Sequence, residues 1–309
     1  MINSVQATNY LGERVTMRLR NPEQSGFLIF NMTGLGPEKA EIRTTEIVTN
    51  DGSIYNSSRL PSRNIVIMIR YMPKNEGATA GWDTVEEARE ASYKFFPIKK
   101  PIKLVIRTDN RIAEIEGYVE SNEPVIFSRE VHTQISIICP FPYFYAAGST
   151  ATIFSGVEPM FEFPFSNEDP VEPLIIFGEI KAKAEEVVFY DGDSEVGITM
   201  IVDAIGPVDQ LRLYNVQTRE SMFIDTDRLE AMTGAGFGAG DRIIINTTKG
   251  SKSIFLLRGG IYTNILNTLN RDADWFQLSK GDNIFAFDAD EGAANLLFRI
   301  EHRVIYEGV

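Results

Sequence analysis

The end of the sequence carries the pattern that most restricts the fold. From about residue 298 onward, two kinds of side chain alternate. One set is Phe298, Ile300, His302, Val304 and Tyr306, and the charged set between them is Arg299, Glu301 and Arg303. Alternation with a period of two places the two sets on opposite faces of a pleated strand. An apolar run at 284–287 and an acidic turn at 288–292 come before it, so we predict that the chain ends in a β-hairpin that closes a sheet.

Short strand-like segments separated by turn residues occur along the whole chain. Three pairs of segments predict hairpins: 102–107 with 111–120, 187–190 with 197–202, and 242–248 with 253–257. Residues 65–69 form an uninterrupted apolar run, which predicts a strand covered on both faces. Strands this short, with turns this frequent, are typical of β-sandwiches and β-barrels.

Two segments have helical rather than strand spacing. A helix is predicted at 83–95, because Asp83 and Glu86 have the spacing of a capping box. A second helix is predicted around 262–270, where apolar residues lie four apart on one face. The sequence therefore predicts an all-β protein with minor helices, one packed on a sheet in each half.

Charge is distributed unevenly between the two halves. Residues 1–150 carry 17 basic and 17 acidic side chains, whereas residues 151–309 carry 13 basic and 26 acidic ones, so the formal charge of −13 lies in the second half. A strongly acidic surface is self-repelling and does not bind phosphate backbones. We therefore expect the neutral half to be buried against other subunits, and we expect no sequence-specific binding of nucleic acid.

A segment rich in proline and glycine divides the chain. Six prolines lie between residues 139 and 173, and Gly148 opens a run of small residues. Proline and glycine interrupt regular structure. We predict two domains, 1–148 and 149–309, with a linker at about 148–158.

Membrane proteins and disulfide-stabilised scaffolds find no support in the sequence. No apolar run reaches the roughly 20 residues that cross a bilayer, and residues 1–10 lack the basic and apolar parts of a secretory signal. The single cysteine, Cys139, rules out an internal disulfide framework. We expect it to be a small buried side chain.

Motifs for catalysis or metal binding are absent or misplaced. His132 and His302 have no zinc-ligand spacing, and His302 is expected to be a satisfied core or interface histidine. The glycine-rich segment 234–240 lacks the preceding strand and following helix of a phosphate loop, which favours a flexible loop. The acidic segment 191–195 resembles a calcium loop but lacks its glycine, which favours a solvated hairpin tip. We predict no catalytic residues, no cofactor and no metal.

Short motifs recur in a definite order along nearly the whole chain. In the first half they are Gly34-Leu-Gly-Pro37, Asp51-Gly-Ser-Ile-Tyr-Asn-Ser-Ser58, Arg63-Asn-Ile-Val-Ile-Met-Ile69 and Cys139-Pro-Phe-Pro142. In the second half they are Phe161-Glu-Phe-Pro-Phe165, Gly240-Asp-Arg-Ile-Ile-Ile-Asn-Thr247, Trp275-Phe-Gln-Leu278, Gly281-Asp-Asn283 and Tyr306-Glu-Gly-Val309. In order and spacing, the series resembles the distal tail proteins of long-tailed, siphophage-type bacteriophages.

The resemblance implies a ring-forming N-terminal β-barrel or β-sandwich domain and a C-terminal galectin-like β-sandwich. In that family, six copies form a ring that joins the tail tube to the tail-tip hub, a tail-associated protein, and often presents receptor-binding proteins. The resemblance implies a structural virion protein without enzymatic activity, assembled in the host cytoplasm, with phage DNA passing through the ring. It assigns assembly to the first-half motif residues Gly34, Gly36, Asp51, Gly52 and Arg63.

An alternative comes from a different class of protein. Galectin-like sandwiches bind glycans elsewhere, so the second half is also compatible with a carbohydrate- or host-receptor-binding module. Such a site needs several polar residues and an exposed tryptophan on one strand face, and the sequence does not assemble that set. Since fold alone does not transfer function, glycan binding and ring formation are the observations that separate the two interpretations.

Overall fold

The computed structural model describes residues 1–46, 51–74, 81–159, 178–182 and 185–309. The chain divides into two compact units, residues 1–147 with 305–309, and residues 148–304. The motif predicted at 161–165 and three of the six prolines, Pro164, Pro170 and Pro173, lie outside the described residues. No helix in the described part of the chain is long and apolar enough to cross a membrane.

The first unit is built on one large antiparallel sheet. The strands of the unit up to residue 147 are β1 (Ile2–Asn9), β2 (Arg14–Arg18), β3 (Phe27–Thr33), β4 (Glu41–Glu46), β5 (Ser53–Arg59), β6 (Arg63–Tyr71), β7 (Pro101–Thr108), β8 (Ile112–Val125), β9 (His132–Cys139) and β10 (Phe144–Ala146). The main path is β2-β1-β7-β8-β9-β6-β3, with β10 paired to β8. Among the described strands, β4 and β5 pair only with each other. The hairpin predicted at 102–120 is confirmed by the pairing of β7 with β8.

Burial in the first unit alternates along the strands. On β6, Ile65, Ile67 and Ile69 are fully buried, whereas Val66 and Met68 are partly exposed. The prediction of a strand covered on both faces is therefore wrong. An antiparallel sheet can leave one face to solvent, and the path of described strands runs from an edge at β2 to an edge at β3 rather than closing into a barrel.

One α-helix, α1 (Val85–Phe95), packs against the core of the first unit, and a 3-10 turn spans Pro22–Gln24. The helix begins one residue later than the predicted capping box. The Thr84 hydroxyl accepts a hydrogen bond from the Glu87 N–H (3.1 Å), and the Glu87 carboxylate accepts one from the Asp83 N–H (2.9 Å). Thr84 rather than Asp83 is the N-cap, because its backbone is extended just where the helix begins.

The described residues of the second unit contain fourteen strands. They are β11 (Thr150–Ile153), β12 (Ser155–Pro159), β13 (Gly178–Ala182), β14 (Glu185–Tyr190), β15 (Val196–Gly197), β16 (Thr199–Ala204), β17 (Asp209–Asn215), β18 (Glu220–Ile224), β19 (Arg242–Asn246), β20 (Ser253–Arg258), β21 (Ile261–Asn264), β22 (Gln277–Leu278), β23 (Gly281–Glu291) and β24 (Leu296–His302). The larger sheets have the orders β11-β24-β16-β19-β20-β21 and β14-β23-β17-β18, and β12-β13 and β15-β22 form small pairs. The hairpin predicted at 242–257 is confirmed as β19 and β20.

The two larger sheets of the second unit face each other. Phe287 on β23 and Phe298 on β24 lie in different sheets, with their ring centroids 5.5 Å apart. Phe154, just after β11, lies 4.7 Å from Phe298 by the same measure, and all three rings are buried. The unit is therefore a β-sandwich, and the prediction of an all-β protein with minor helices is confirmed.

Two predicted hairpins are wrong because their strands belong to opposite sheets. β23 and β24 are consecutive in sequence, yet β23 pairs with β14 and β17, while β24 pairs with β11 and β16. The left-handed Gly292 (φ 76°) and the 3-10 turn Ala293–Asn295 carry the chain from one sheet to the other. In the same way β14 and β16, predicted to pair across residues 191–192, lie in different sheets.

The α-helix of the second unit, α2, spans Thr226–Thr233. Asp225 caps its first turn by accepting a hydrogen bond from the Arg228 N–H (3.0 Å). The helix predicted around 262–270 is wrong, because that segment contains β21 and a 3-10 turn at Leu266–Thr268. Each unit thus has one α-helix among its described residues, as predicted, but the second lies on a different segment.

The last strand of the sequence, β25 (Ile305–Tyr306), belongs to the first unit, where it pairs with β10. β11 and β24 are neighbours in the second unit, with Thr150 opposite His302, so the chain enters and leaves that unit at the same end. Residues 305–309 therefore pack with the first unit, whereas the predicted boundaries place them in the second domain. The residues predicted as a linker, 148–158, include β11 and most of β12.

Candidate functional site

Arg63, at the start of β6, is a charged side chain with only 1% of its surface exposed. It donates four hydrogen bonds, all to backbone carbonyl oxygens. Nε donates to Pro142 (2.6 Å), Nη1 to Gly34 (2.6 Å) and Gly36 (2.5 Å), and Nη2 to Glu307 (2.7 Å). We call these residues the Arg63 clasp.

The clasp holds a positive charge that has no ion-pair partner among the described residues. Burial lowers the pKa of the Arg63 guanidinium, and the charge of Glu38 acts in the opposite direction. The guanidinium carbon also lies 4.7 Å from the ring centroid of Phe144, within the range of a cation–π interaction. Carbonyl dipoles and an aromatic face therefore stabilise the charge in place of a carboxylate.

The clasp joins the segment that precedes β4 to the segment that follows β5, at the base of the β4–β5 hairpin. Gly34 and Gly36 precede β4 in the chain, and Arg63 lies four residues after the end of β5. Residues 305–309 add a third segment, because the Val309 N–H donates to the Leu35 carbonyl (2.9 Å). One side chain thus ties the two ends of the hairpin to the last residues of the sequence.

Gly34 has a backbone requirement that Gly36 does not share. Its φ is +81°, and a Cβ at this position would lie 2.2 Å from the Asn64 carbonyl oxygen. Glycine alone lets the chain pass this close to β6 in a left-handed conformation. A Cβ at Gly36 would meet nothing within 4 Å. The contribution of Gly36 is therefore its carbonyl group.

The other two predicted assembly residues lie outside the clasp. Asp51 and Gly52 are exposed and directly precede β5, at the tip of the β4–β5 hairpin. Gly52 has a φ of +93°, and a Cβ there would meet nothing within 4 Å. The structure therefore brings Gly34, Gly36 and Arg63 together and places Asp51 and Gly52 at the opposite end of the hairpin.

All residues of β4 and β5 are exposed, so neither face of the hairpin is covered by the described part of the chain. Three of the exposed side chains are large and apolar: Ile42 is 63% exposed, Ile54 54% and Tyr55 61%. Arg59 and Glu41 form an ion pair across the two strands (2.7 Å). An isolated two-stranded hairpin is marginally stable in water, and covering apolar side chains is favourable. These properties are typical of a segment that docks on a partner.

A second apolar feature of the first unit lies at the end of β8 and directly after it. Val125, Ile126 and Phe127 are all exposed, and Phe127 completely so. Three consecutive exposed apolar side chains gain free energy only when another surface covers them. The first unit therefore presents two apolar projections, the hairpin and the segment 125–127.

The single cysteine and His302 are buried. Burial raises the pKa of the Cys139 thiol to about 12, so it is not a thiolate at neutral pH, and its expected burial is confirmed. Burial lowers the pKa of His302, and its Nδ1 has no hydrogen-bond partner among the described residues. The expectation that this histidine is satisfied is therefore wrong. Within the described ranges, no group of three or more His, Cys, Asp or Glu side chains is placed to hold a metal ion.

The glycine-rich segment 234–240 is held by an arginine rather than left free. Arg258 donates to the carboxylate of Asp241 (2.6 Å) and to the carbonyl of Gly236 (2.5 Å). The segment follows α2 and precedes β19, which is the reverse of the strand-then-helix order of a phosphate loop.

Sequence reasoning missed two members of the clasp, Pro142 and Glu307. Both contribute a backbone carbonyl, and every residue has one, so no side-chain pattern points to them. The signal that could have found them is positional, because they lie in the motifs at 139–142 and 306–309.

Comparisons with known proteins establish the fold of this chain and no finer property. No family model and no curated protein matches the sequence. Among solved structures, the crystal structure of SPP1 Dit aligns with 97% of this chain and 98% of that chain, at 12% identity and a TM-score of 0.63. This chain has the fold of SPP1 Dit.

SPP1 Dit is described as a paradigm of the hub adsorption apparatus in phages that infect Gram-positive bacteria. Two structures of the phage P2 baseplate in its activated conformation also align with this chain. The one with Ca has 12% identity over 98% of both chains, and the one with Sr has 11% identity over 97% of both, each with a TM-score of 0.47. The SPP1 Dit alignment confirms, at the level of the fold, the resemblance to phage distal tail proteins.

Proposed function

We propose that this protein is a structural hub at the distal end of a phage tail, where six copies form a ring. The observation that carries the proposal is the fold shared with the hub protein SPP1 Dit along 97% of the chain. In this role the ring joins the tail tube protein to the tail-tip hub protein and presents receptor-binding proteins. The protein acts in the virion after assembly in the host cytoplasm, and it has no enzymatic activity.

In this proposal, the first unit makes the contacts between copies. The first 150 residues have no net charge, so the first units of neighbouring copies can approach without strong repulsion. Six second units packed together would repel one another, because the net charge of −13 of each chain lies in its second half. A closed ring needs a head-to-tail contact, in which one patch of a copy meets a different patch of the next. The β4–β5 hairpin and the segment 125–127 supply exposed apolar side chains for such a contact.

The Arg63 clasp orients the hairpin for this contact. An exposed two-stranded hairpin has few tertiary contacts of its own to fix its direction. The clasp fixes both ends of the hairpin through buried hydrogen bonds, so that its apolar side chains are presented in one orientation. Less conformational entropy is then lost on docking.

The test is the mass of the full chain in solution, measured by mass photometry. We expect a particle of six times 34.7 kDa, about 208 kDa. Ile42→Glu should shift this particle to single chains, because it places a charge in an apolar contact. Ile261→Glu is the matched control, since Ile261 is a strand residue of the second unit with 70% exposure, against 63% for Ile42.

The possible outcomes separate the two parts of the proposal. A wild-type protein that stays monomeric at high concentration would contradict the ring. A ring that forms equally well with Ile42→Glu would leave the ring standing and remove the hairpin from its contacts. Dissociation by Ile261→Glu alone would assign the contact to the second unit.

A further inference from the structure

A cleft of about 500 Å³ lies in the second unit, between α2 and the segment that follows β21. Its polar and aromatic lining consists of Arg228, Asn267, Asn270, Arg271 and Trp275. Arg228, Asn267 and Arg271 are exposed, and Trp275 is partly exposed. A cleft with two guanidinium groups, two amides and an indole is unusual on a unit with nearly twice as many acidic as basic side chains.

One wall of the cleft is fixed along strand β18. The Asn270 N–H donates to the Phe223 carbonyl (3.0 Å), and the Phe223 N–H donates to Asn270 Oδ1 (3.0 Å). Further along, the Asp274 N–H donates to the Ser221 carbonyl (2.9 Å), and the Ser221 N–H donates to the Asp274 carboxylate (3.1 Å). These two reciprocal pairs hold the segment from 270 to 274 in place, so the cleft is formed in advance of any ligand.

The charges around the cleft leave one arginine available. Arg228 Nε pairs with Asp225 (3.0 Å), which also caps α2. Arg271 makes no ion pair with any described residue. The Lys252 ammonium lies 5.1 Å from the ring centroid of Trp275, so a third cation adjoins the same wall. The carboxylate of Asp274 accepts a hydrogen bond from the Ser221 N–H and keeps its negative charge, and Asp272 is exposed beside Arg271. Arg271 is therefore the group of the cleft that is placed to pair with the acidic part of a ligand.

We propose that this cleft binds an anionic saccharide, with a sugar ring against Trp275 and an acidic substituent on Arg271 and Arg228. Arginine recognises carboxylates and phosphates through paired N–H donors. Asparagine amides bond to hydroxyl groups, and an indole face provides an apolar surface for the C–H groups of a sugar ring. The acid can be a carboxylate, as in a uronic acid, or a phosphate ester. This goes beyond the hub role and does not depend on ring formation.

The test uses the full chain and the fluorescence of Trp275. The protein has two tryptophans, so in a Trp82→Phe background Trp275 is the only one that reports. The probes are glucuronate, glucose 1-phosphate, neutral glucose and inorganic phosphate, each titrated to about 10 mM, which detects dissociation constants in the millimolar range. We expect both acidic sugars to change the signal and to bind at least tenfold more tightly than glucose.

Matched variants show whether the named side chains carry the binding. Arg271→Ala should weaken acidic-sugar binding about tenfold or more, whereas Lys280→Ala, which removes one exposed cation outside the cleft, should leave it unchanged. The probes also distinguish the acids, because a response to only one of them identifies carboxylate or phosphate as the group recognised. Isothermal titration of Trp275→Phe and Trp275→Leu separates stacking from charge, and only the leucine variant should lose binding.

Three results would overturn the proposal. No response to either acidic sugar would show that the cleft has no such ligand. Equal binding of inorganic phosphate and glucose 1-phosphate, unaffected by Trp275→Leu, would reduce the cleft to a simple anion site. Equal weakening by Lys280→Ala and Arg271→Ala would show a general effect of net charge rather than a site.

Discussion

The β4–β5 hairpin has a base and a tip with opposite properties, although the same series of motifs includes both. At the base, Arg63 is buried and all its bonds go to carbonyl groups of its own chain. At the tip, Asp51 and Gly52 are exposed, and the strands beside them have both faces uncovered. The base is therefore explained by folding of the first unit, whereas no contact among the described residues explains the tip in the same way.

Residues of one motif series can therefore serve two different purposes, the stability of the first unit and the assembly of copies. Substitutions at the base should lower the stability of the first unit, and should affect assembly only as a consequence. Substitutions along the exposed strands should leave stability nearly unchanged and affect assembly directly.

Arg63→Met should produce the largest loss of stability. It leaves the carbonyls of Gly34, Gly36, Pro142 and Glu307 without their donor in a buried site. We expect the free energy of unfolding of the first unit to fall by about 3–5 kcal/mol, as when one member of a buried charged contact is removed. Arg63→Lys keeps the charge but has one nitrogen in place of three, so its loss should be intermediate.

Urea denaturation followed by Trp82 fluorescence measures this loss. Trp275→Phe in the background confines the signal to the first unit, which matters because a two-unit chain need not unfold in one step. Hydrogen exchange adds a local check, since the Val309 N–H should lose protection in Arg63→Met. An unfolding midpoint equal to that of the parent protein would show that the clasp does not stabilise the unit.

Replacing Gly34 and replacing Gly52 with alanine should lower the free energy of unfolding by different amounts, although both glycines have positive φ. Left-handed backbone at a non-glycine residue costs about 1–2 kcal/mol, and this term is common to both positions. Gly34→Ala adds a collision of its Cβ with the Asn64 carbonyl oxygen, whereas Gly52→Ala meets open space. We expect a measurable loss from Gly34→Ala that exceeds that from Gly52→Ala, because only the first must displace β6.

The same urea titration compares the two alanine variants. Circular dichroism at the start of each titration confirms that the variants are folded. Equal losses of unfolding free energy would mean that backbone strain accounts for both effects. The chain near Gly34 would then move away from β6 without lowering stability. A larger loss at Gly52 would contradict the distinction between base and tip.

Local hairpins were predictable from sequence, but the pairing of consecutive strands across the sandwich was not. The strands at 102–120 and at 242–257 are joined by short connections, 109–111 and 247–252, whose turn residues indicate the partner. β23 and β24 have equally clear strand patterns, and Gly292 lies between them as a turn signal. Alternation shows which face is buried, but it does not show whether the next strand joins the same sheet or the facing one.

The clasp shows a second limit of sequence reasoning. Arg63, Gly34 and Gly36 could be singled out by resemblance, and glycine at a left-handed position has a physical reason that a sequence can suggest. The buried state of Arg63 could not be foreseen, because arginine is rarely buried without a carboxylate. Its partners are carbonyl groups supplied by distant segments, and their convergence follows from the return of residues 305–309 to the first unit.

The central claim is that copies of this chain meet through the first unit, and isotope-mixed cross-linking tests it most directly. Chains grown in ¹⁴N and ¹⁵N media are mixed, assembled, treated with a lysine-reactive cross-linker and analysed by mass spectrometry. We predict that links between light and heavy chains join lysines of the first unit, with Lys39, between the clasp and β4, prominent among them. Mixed links confined to Lys249, Lys252 and Lys280 of the second unit would contradict the account.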